Sequence, residues 1–144
     1  MTDSFQVRSY PTVADSSSGA SVAKEDASRQ LALLMAEAAD DRKGVDIVIL
    51  KVSEVSYLAD YFVLVTGFSS VQVRAIARSM EDKAEQECQR YPLRTEGQGD
   101  GTWMVQDYGD VIAHIFMPEQ REFYNLEAFW GHAEKIEFST LAKD

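Results

Sequence analysis

The fold is decided by the stretch WMVQDYGDVIAHIF, which covers residues 103–116. Two short runs rich in β-branched and aromatic residues, 103–105 and 111–116, lie on either side of the tetrapeptide DYGD. Aspartate and glycine are favoured where the chain turns sharply between two strands. The stretch therefore predicts a β-hairpin.

Two further strands are predicted upstream of the hairpin. Residues 47–50 read IVIL and residues 61–65 read YFVLV, so both runs are nearly continuous in apolar side chains. Such a run is typical of a strand that is covered on both faces, whereas a half-exposed strand alternates. We therefore expect these runs to be central strands of a sheet.

Three segments have apolar residues at helical spacing. The first begins at Ser28 and ends at Gly44, and the second covers residues 70–90 and ends before Pro92. The third begins at Pro118 and ends before Gly131. The order of helix, two strands, helix, hairpin and helix predicts an α/β fold with a mixed β-sheet and packed helices.

Residues 1–26 have a different composition from the rest of the chain. They are rich in serine and carry only scattered apolar residues, so burial cannot offset the entropy of ordering them. We predict a disordered serine-rich tail at residues 1–26 and a single domain at residues 27–144. An organellar transit peptide is disfavoured, since four acidic residues in this segment outnumber two basic ones.

The charge of the chain limits its partners. The 144 residues include 14 lysines and arginines against 24 aspartates and glutamates, which gives a net charge of -10. Such a chain is repelled by a phosphate backbone, so we expect no direct sequence-specific nucleic-acid binding. An acidic surface is instead attracted to a basic protein.

The sequence also bears on location and cofactors. Cys88 is the only cysteine, and with two histidines it does not form the spacing of a structural zinc site. No signal peptide and no membrane-spanning stretch is recognisable. We expect a cytoplasmic protein that has no membrane partner and requires neither a metal nor a cofactor.

Two patterns suggest enzyme chemistry but are better explained without it. The loop GFSS at residues 67–70 could hold a phosphate at a helix N-terminus, yet it lacks the lysine and the glycines of the known nucleotide motifs. Helix-capping serines are the favoured interpretation. Asp107 and Asp110 could hold magnesium, but at a tight turn we expect both carboxylates to face solvent.

The hairpin is the best candidate for a binding surface. His114 is predicted to share a strand face with Ile112 and Phe116, and a lone histidine there is usually a satisfied polar group in a packed site. Aromatic anchors beside directional polar groups favour a protein-binding hot spot instead. The members that the hairpin supplies are Trp103, Asp107, Tyr108, Asp110 and His114. Phe123 and Tyr124 extend this surface, although Phe123 could equally close the core.

Four segments in this order resemble the ribosomal silencing factor, or Iojap, family. They are DYFVLVTG (60–67), SVQVRAIA (70–77), residues 103–116 and REFYNLE (121–127). The resemblance covers residues 28–133 and implies a nucleotidyltransferase-like topology without catalytic carboxylates. It therefore implies a protein that is not an enzyme.

The resemblance also implies a function in translation. Members of this family bind a basic protein on the intersubunit face of the large ribosomal subunit and sterically block joining of the small subunit. Translation is thereby repressed, notably under nutrient limitation. A role as an adaptor in large-subunit maturation is an alternative, and a nucleotidyltransferase-like enzyme is a weaker one. The family also implies a possible homodimer when the protein is free.

The family's contact surface maps onto the hairpin and the segment that follows it. The implied partner-binding residues are Trp103, Met104, Asp107, Tyr108, Gly109, Asp110, His114, Phe123 and Tyr124. The two aspartates are expected to meet basic side chains of the partner, while Trp103 and Tyr108 bury against apolar stems. Gln106 departs from the family pattern, which usually has an apolar residue there.

Overall fold

The fold is a six-stranded mixed β-sheet with helices packed on it. The computed structural model describes residues 13–138, and the side chains of residues 22–138. The strands, in chain order, are β1 (Val45–Lys51), β2 (Tyr61–Thr66), β3 (Arg94–Glu96), β4 (Trp103–Asp107), β5 (Val111–Phe116) and β6 (Glu134–Ile136). The helices are α1 (Val13–Asp41), α2 (Ser70–Cys88), α3 (Pro118–Tyr124) and α4 (Leu126–Phe129).

The strands lie in the order β3-β4-β5-β2-β1-β6. β2 and β5 are parallel, whereas the other four neighbouring pairs are antiparallel. The predicted hairpin is confirmed as β4 and β5, in which Trp103 pairs with Phe116 and Asp107 with Ile112. The mixed sheet with packed helices is confirmed as well. The likeness to nucleotidyltransferases stays a prediction.

One face of the sheet is covered by α1 and α2. Leu31 and Met35 of α1 and Ile76 and Met80 of α2 are fully buried against it. Burial of such a side chain contributes about 1.5–3 kcal/mol. The strand residues that meet these helices alternate with residues that point to the opposite face, as the pleat requires.

The opposite face is only partly covered. Leu50, Phe62, Leu64 and Phe116 form a second apolar cluster, against which Leu126, Trp130 and Ala133 pack. These covering residues come from α4 and the segment that follows it. They shield the part of the sheet around β1, β2 and Phe116 of β5, and leave the rest of the face of β3, β4 and β5 partly accessible.

The first helix is longer than the sequence predicts. It begins at Val13, not at Ser28, so residues 13–26, which we expected to belong to a flexible tail, are helical. The side chains of residues 22–27 are exposed. This part of α1 therefore continues the helix of the buried segment and is not itself stabilised by burial. A contact of Glu25 with Lys51 at 2.6 Å ties this part of the helix to β1. Residues 1–12 of the predicted tail lie outside the described residues.

The two edge strands are absent from the sequence prediction. β3 (RTE) and β6 (EKI) each have three residues and are mostly polar, so they lack a readable apolar period. In residues 13–138 no helix has the length and apolarity needed to span a membrane.

Candidate functional site: the open face of the sheet

The accessible face of β3, β4 and β5, which we call the open face, has a defined set of side chains. The pleat and the register bring together Arg94 and Glu96 of β3, Trp103, Val105 and Asp107 of β4, and Ile112 and His114 of β5. A groove of about 400 Å³ crosses this face, bordered also by Leu58 and Phe62. The groove is mixed apolar and polar, which suits recognition of another protein.

Trp103 and His114 form a directional pair on the open face. The indole N–H of Trp103 donates a hydrogen bond to Nδ1 of His114 over 3.1 Å. An acceptor nitrogen carries no proton, so this contact assigns the proton of the neutral ring to Nε2. Burial lowers the pKa of His114 to about 4, although the nearby Asp107 acts in the opposite direction. The imidazole is therefore neutral at pH 7.

Phe123 and Tyr124 form an aromatic rim beside the open face. Their side chains are 77% and 51% exposed. The Tyr124 ring lies 4.7 Å from the Trp103 ring and 4.9 Å from the Phe123 ring, measured between centroids. Large exposed aromatic side chains at such a position are typical anchors of protein interfaces. The structure thus brings Trp103, His114, Phe123 and Tyr124 to one end of the open face.

Asp107 lies on the open face but is already paired. Its carboxylate accepts hydrogen bonds from Arg94 over 2.9 Å and from the backbone N–H of Gly109 over 2.8 Å. Both bonds lie at the protein surface, so the pairing leaves Asp107 on the open face, and its expected contact with a basic side chain of the partner stays a prediction. The sequence predicted that Asp107 lies at the turn. It did not predict β3, the strand on which Arg94 lies opposite Asp107.

Asp110 is also engaged within the protein. It accepts hydrogen bonds from Arg90 at 2.7 Å and from the hydroxyl of Ser28 in α1. Burial raises the pKa of this carboxyl, but the bonds from Arg90 and Ser28 outweigh that effect and keep the pKa below its usual range. Asp110 is thus paired within the chain, and its expected contact with a basic side chain of the partner stays a prediction. Gly109 between the aspartates is exposed and adopts φ +91°, which the turn requires.

Met104 and Tyr108 belong to the core. They are 7% and 3% exposed and pack in the cluster beneath α1 and α2. Burial raises the pKa of Tyr108, whose hydroxyl lies 3.4 Å from Oε1 of Gln106. Met104, Gln106 and Tyr108 alternate with the open-face residues and point to the other side of the sheet. The contact of Met104 and Tyr108 with a partner stays a prediction. The departure at Gln106 has a structural basis, since its amide donates to the carbonyl of Ala77 in α2.

The enzyme-like patterns have structural roles in this fold. Ser69 caps α2 by accepting a hydrogen bond from the backbone of Gln72. Asp107 and Asp110 are each bound by a different arginine, so they do not face a common metal position. Across residues 13–138 no group of three or more His, Cys, Asp or Glu side chains is arranged to hold a metal ion.

Sequence reasoning missed four charged residues that shape the site. Arg90 and Arg94 pair with the turn aspartates, and Arg121 pairs with Glu127 next to the aromatic rim. Arg121 and Glu127 are the first and last residues of the segment REFYNLE. The family resemblance includes both residues, but it did not predict that they contact each other. A six-residue separation across two short helices has no regular period that would indicate such a pair.

A family model and several relatives match this chain. The model described as "Ribosomal silencing factor during starvation" matches residues 25–144. The ribosomal silencing factor of Bacillus subtilis is 39% identical over 100 residues, which cover 69% of this chain and 84% of that protein. The chloroplastic protein Iojap of Zea mays is 39% identical over 106 residues, 74% of this chain but 46% of the maize protein. The chain thus spans less than half of the maize relative and most of the bacterial one.

Solved structures agree with these matches. A crystal structure of a Chromobacterium violaceum protein is similar with a TM-score of 0.69 and 34% identity, covering 78% of this chain and 92% of that one. A Bacillus halodurans crystal structure has a TM-score of 0.66 and 34% identity, with 76% and 99% covered. Sequence, fold and family model lead to the same assignment: this chain belongs to the ribosomal silencing factor family.

Proposed function

We propose that this protein binds a basic protein on the intersubunit face of the large ribosomal subunit and blocks joining of the small subunit. Family membership supports the ribosomal setting. The observation that carries the proposal for this chain is the open face with its aromatic rim. A steric block requires only stable binding, so it needs no catalytic group.

The aromatic rim and the groove are suited to a protein partner. Phe123 and Tyr124 expose aromatic area at one end, and Leu58, which is 69% exposed, borders the other. Between them the paired Arg94 and Asp107 and the neutral His114 provide polar groups. Apolar anchors around a polar centre bury area without leaving an unpaired charge in the interface.

Exposed acidic residues besides Asp107 and Asp110 add to the attraction to a basic partner. Asp107 and Asp110 are neutralised by arginines, whereas Glu96, Glu119 and Glu122 are exposed on β3 and α3. Together with the net charge of -10, these carboxylates favour association with a basic surface and make it sensitive to salt.

A second candidate function is large-subunit maturation. A mouse relative named "Mitochondrial assembly of ribosomal large subunit protein 1" is 30% identical over 87 residues, 59% of this chain and 38% of that protein. The same surface would serve both roles, because each begins with binding to the large subunit. A cytoplasmic location, self-association of the free protein and the lack of enzyme activity accompany the proposal as predictions.

Co-sedimentation with isolated ribosomal subunits tests the proposal. We expect the protein to sediment with large subunits and not with small ones. Truncation of a rim aromatic, Tyr124→Ala, removes a half-exposed ring that contacts Trp103 and no fully buried residue of the core. It should weaken binding about tenfold or more, as loss of an aromatic anchor does. The measurement is the dissociation constant from the bound fraction across a protein titration.

Phe68→Ala is the matched control. Phe68 is 62% exposed, lies in the loop before α2 and does not line the groove of the open face. We expect this variant to bind as the wild type does. Equal binding of folded Tyr124→Ala and wild-type protein, or binding to small subunits instead, would contradict the proposal.

A further inference from the structure

The aromatic rim belongs to α3, a short helix without buried side chains that would fix it to the sheet. α3 has seven residues and no buried one, and an isolated helix of this length is unstable in water. α4, which follows it, has four residues and likewise none that is buried. The orientation of Phe123 and Tyr124 must therefore be fixed by specific contacts outside the helix itself.

Besides the ring contact of Tyr124 with Trp103, Arg121 supplies several such contacts from within α3. Its guanidinium donates two hydrogen bonds to Glu127 of α4, over 2.8 and 3.0 Å. It also donates to the hydroxyl of Thr66 at the end of β2 over 2.9 Å and to the carbonyl of Asp46 in β1 over 2.8 Å. The side chain is only 11% exposed. One residue thus joins α3, α4 and two strands.

The carbonyl that Arg121 binds belongs to an unusual piece of backbone. Between the pairs Val45–Thr66 and Val48–Leu64, β1 has one residue more than β2, which is a β-bulge. Asp46 lies in this bulge with φ +52°, a conformation that is costly for a residue with a side chain. The bulge turns its carbonyl toward α3, where Arg121 binds it.

We propose that Arg121 is a positioning residue for partner binding: it fixes α3 on the sheet and so places Phe123 and Tyr124 beside the open face. This inference rests on the proposed function, because it assigns Arg121 a role at that same surface. Arg121 touches no partner in this account and acts through the rim. The Arg121 guanidinium also lies 5.7 Å from the centre of the Phe116 ring, within the range of a cation–π contact.

The first readout is hydrogen exchange of the free protein. In Arg121→Met the amides of residues 118–124 should exchange at least about tenfold faster, because local opening becomes easier, while the amides of α2 keep their rates. Arg121→Lys keeps the charge but lacks the planar fork, so it should not restore protection. Lys83→Met is the matched control, since it removes one positive charge and an ion pair with Glu37 from the helix layer.

The second readout is a double-mutant cycle in binding to large subunits. Arg121→Met alone should weaken binding about tenfold. In the rim-less variant, Phe123→Ala with Tyr124→Ala, the same change should weaken binding less than about twofold, because the residues through which Arg121 acts are gone. Glu127→Gln leaves the bonds to Thr66 and Asp46 intact and should shift both readouts in the same direction but less.

Two results would overturn the inference. One is that the amides of α3 exchange at the same rate in Arg121→Met as in the wild-type protein. The other is that Arg121→Met weakens binding equally in the wild-type and rim-less backgrounds, as expected if Arg121 has only a structural role. Failure of the proposed function looks different: the wild-type protein would not bind large subunits at all. Exchange in the free protein would then still decide whether Arg121 holds α3.

Discussion

The hydrogen bond between Trp103 and His114 fixes the chemistry of the open face at the scale of single residues. Because Nδ1 accepts from the indole, a second proton on the ring breaks the pair. Burial holds the pKa of His114 near 4, below its value of 6.5 in a free chain. The unfolded chain therefore takes up a proton at a higher pH than the folded protein does.

Stability is accordingly predicted to fall as the pH decreases from about 6.5 toward 4, since protons then bind the unfolded chain preferentially. His114 contributes a slope of at most about 1.4 kcal/mol per pH unit in this window. Urea unfolding of His114→Asn, whose side-chain oxygen can still accept from Trp103, should give a flatter profile. His132→Asn, at an exposed position, is the control, and an unchanged slope in His114→Asn would contradict the assignment.

The alternation of side chains along a strand predicted on which face of the sheet a residue lies. His114 shares its face with Ile112 and Phe116, as the alternation indicated. The positions of Asp110 and Tyr108 were not predictable, because they depend on where α1 and the end of α2 lie above the turn. No local pattern in the hairpin shows that Ser28 and Arg90 meet Asp110 from distant parts of the chain.

At the scale of elements, Asp110 links the hairpin to both helices of the buried face. Ser28 belongs to α1, and Arg90 follows α2. Asp110→Asn keeps the shape but loses the charge, so we predict a loss of about 1–3 kcal/mol at pH 7 in urea unfolding. The folded-state pKa of this carboxyl is lowered, so its contribution is present above its unfolded pKa and is lost as the pH falls through the folded value.

Asp100→Asn is the control for this prediction. Asp100 is exposed and accepts one hydrogen bond, from the neighbouring Thr102, so its replacement should change the stability by no more than about 0.5 kcal/mol. Similar stabilities of the two variants would show that the link between the hairpin and the helices contributes little.

The elements themselves were predictable in proportion to their apolar content. The central strands, the hairpin and α2 have long apolar runs or a clear apolar stripe and lie where the sequence indicated. The edge strands β3 and β6 and the N-terminal part of α1 were missed, because each is polar and held by neighbours. β3 matters most for the site, as it supplies Arg94 and Glu96 to the open face.

At the scale of the whole molecule, the sheet has one face closed by α1 and α2 and an opposite face that is only partly covered. This asymmetry could not be read from the sequence, since periodicity indicates that strands are buried but not which helix covers which strand. The family resemblance located the functional region on the hairpin. The structure divides that region into core residues, Met104 and Tyr108, and half-buried residues of the open face, Trp103 and His114.

The most direct test of the central claim is the joining of ribosomal subunits in the presence of the protein, followed by light scattering after large and small subunits are mixed. We predict that protein bound beforehand to large subunits lowers the joined fraction in proportion to its occupancy, and that the rim-less variant at the same concentration does not. Unimpaired joining of large subunits that demonstrably carry the protein would contradict the steric mechanism.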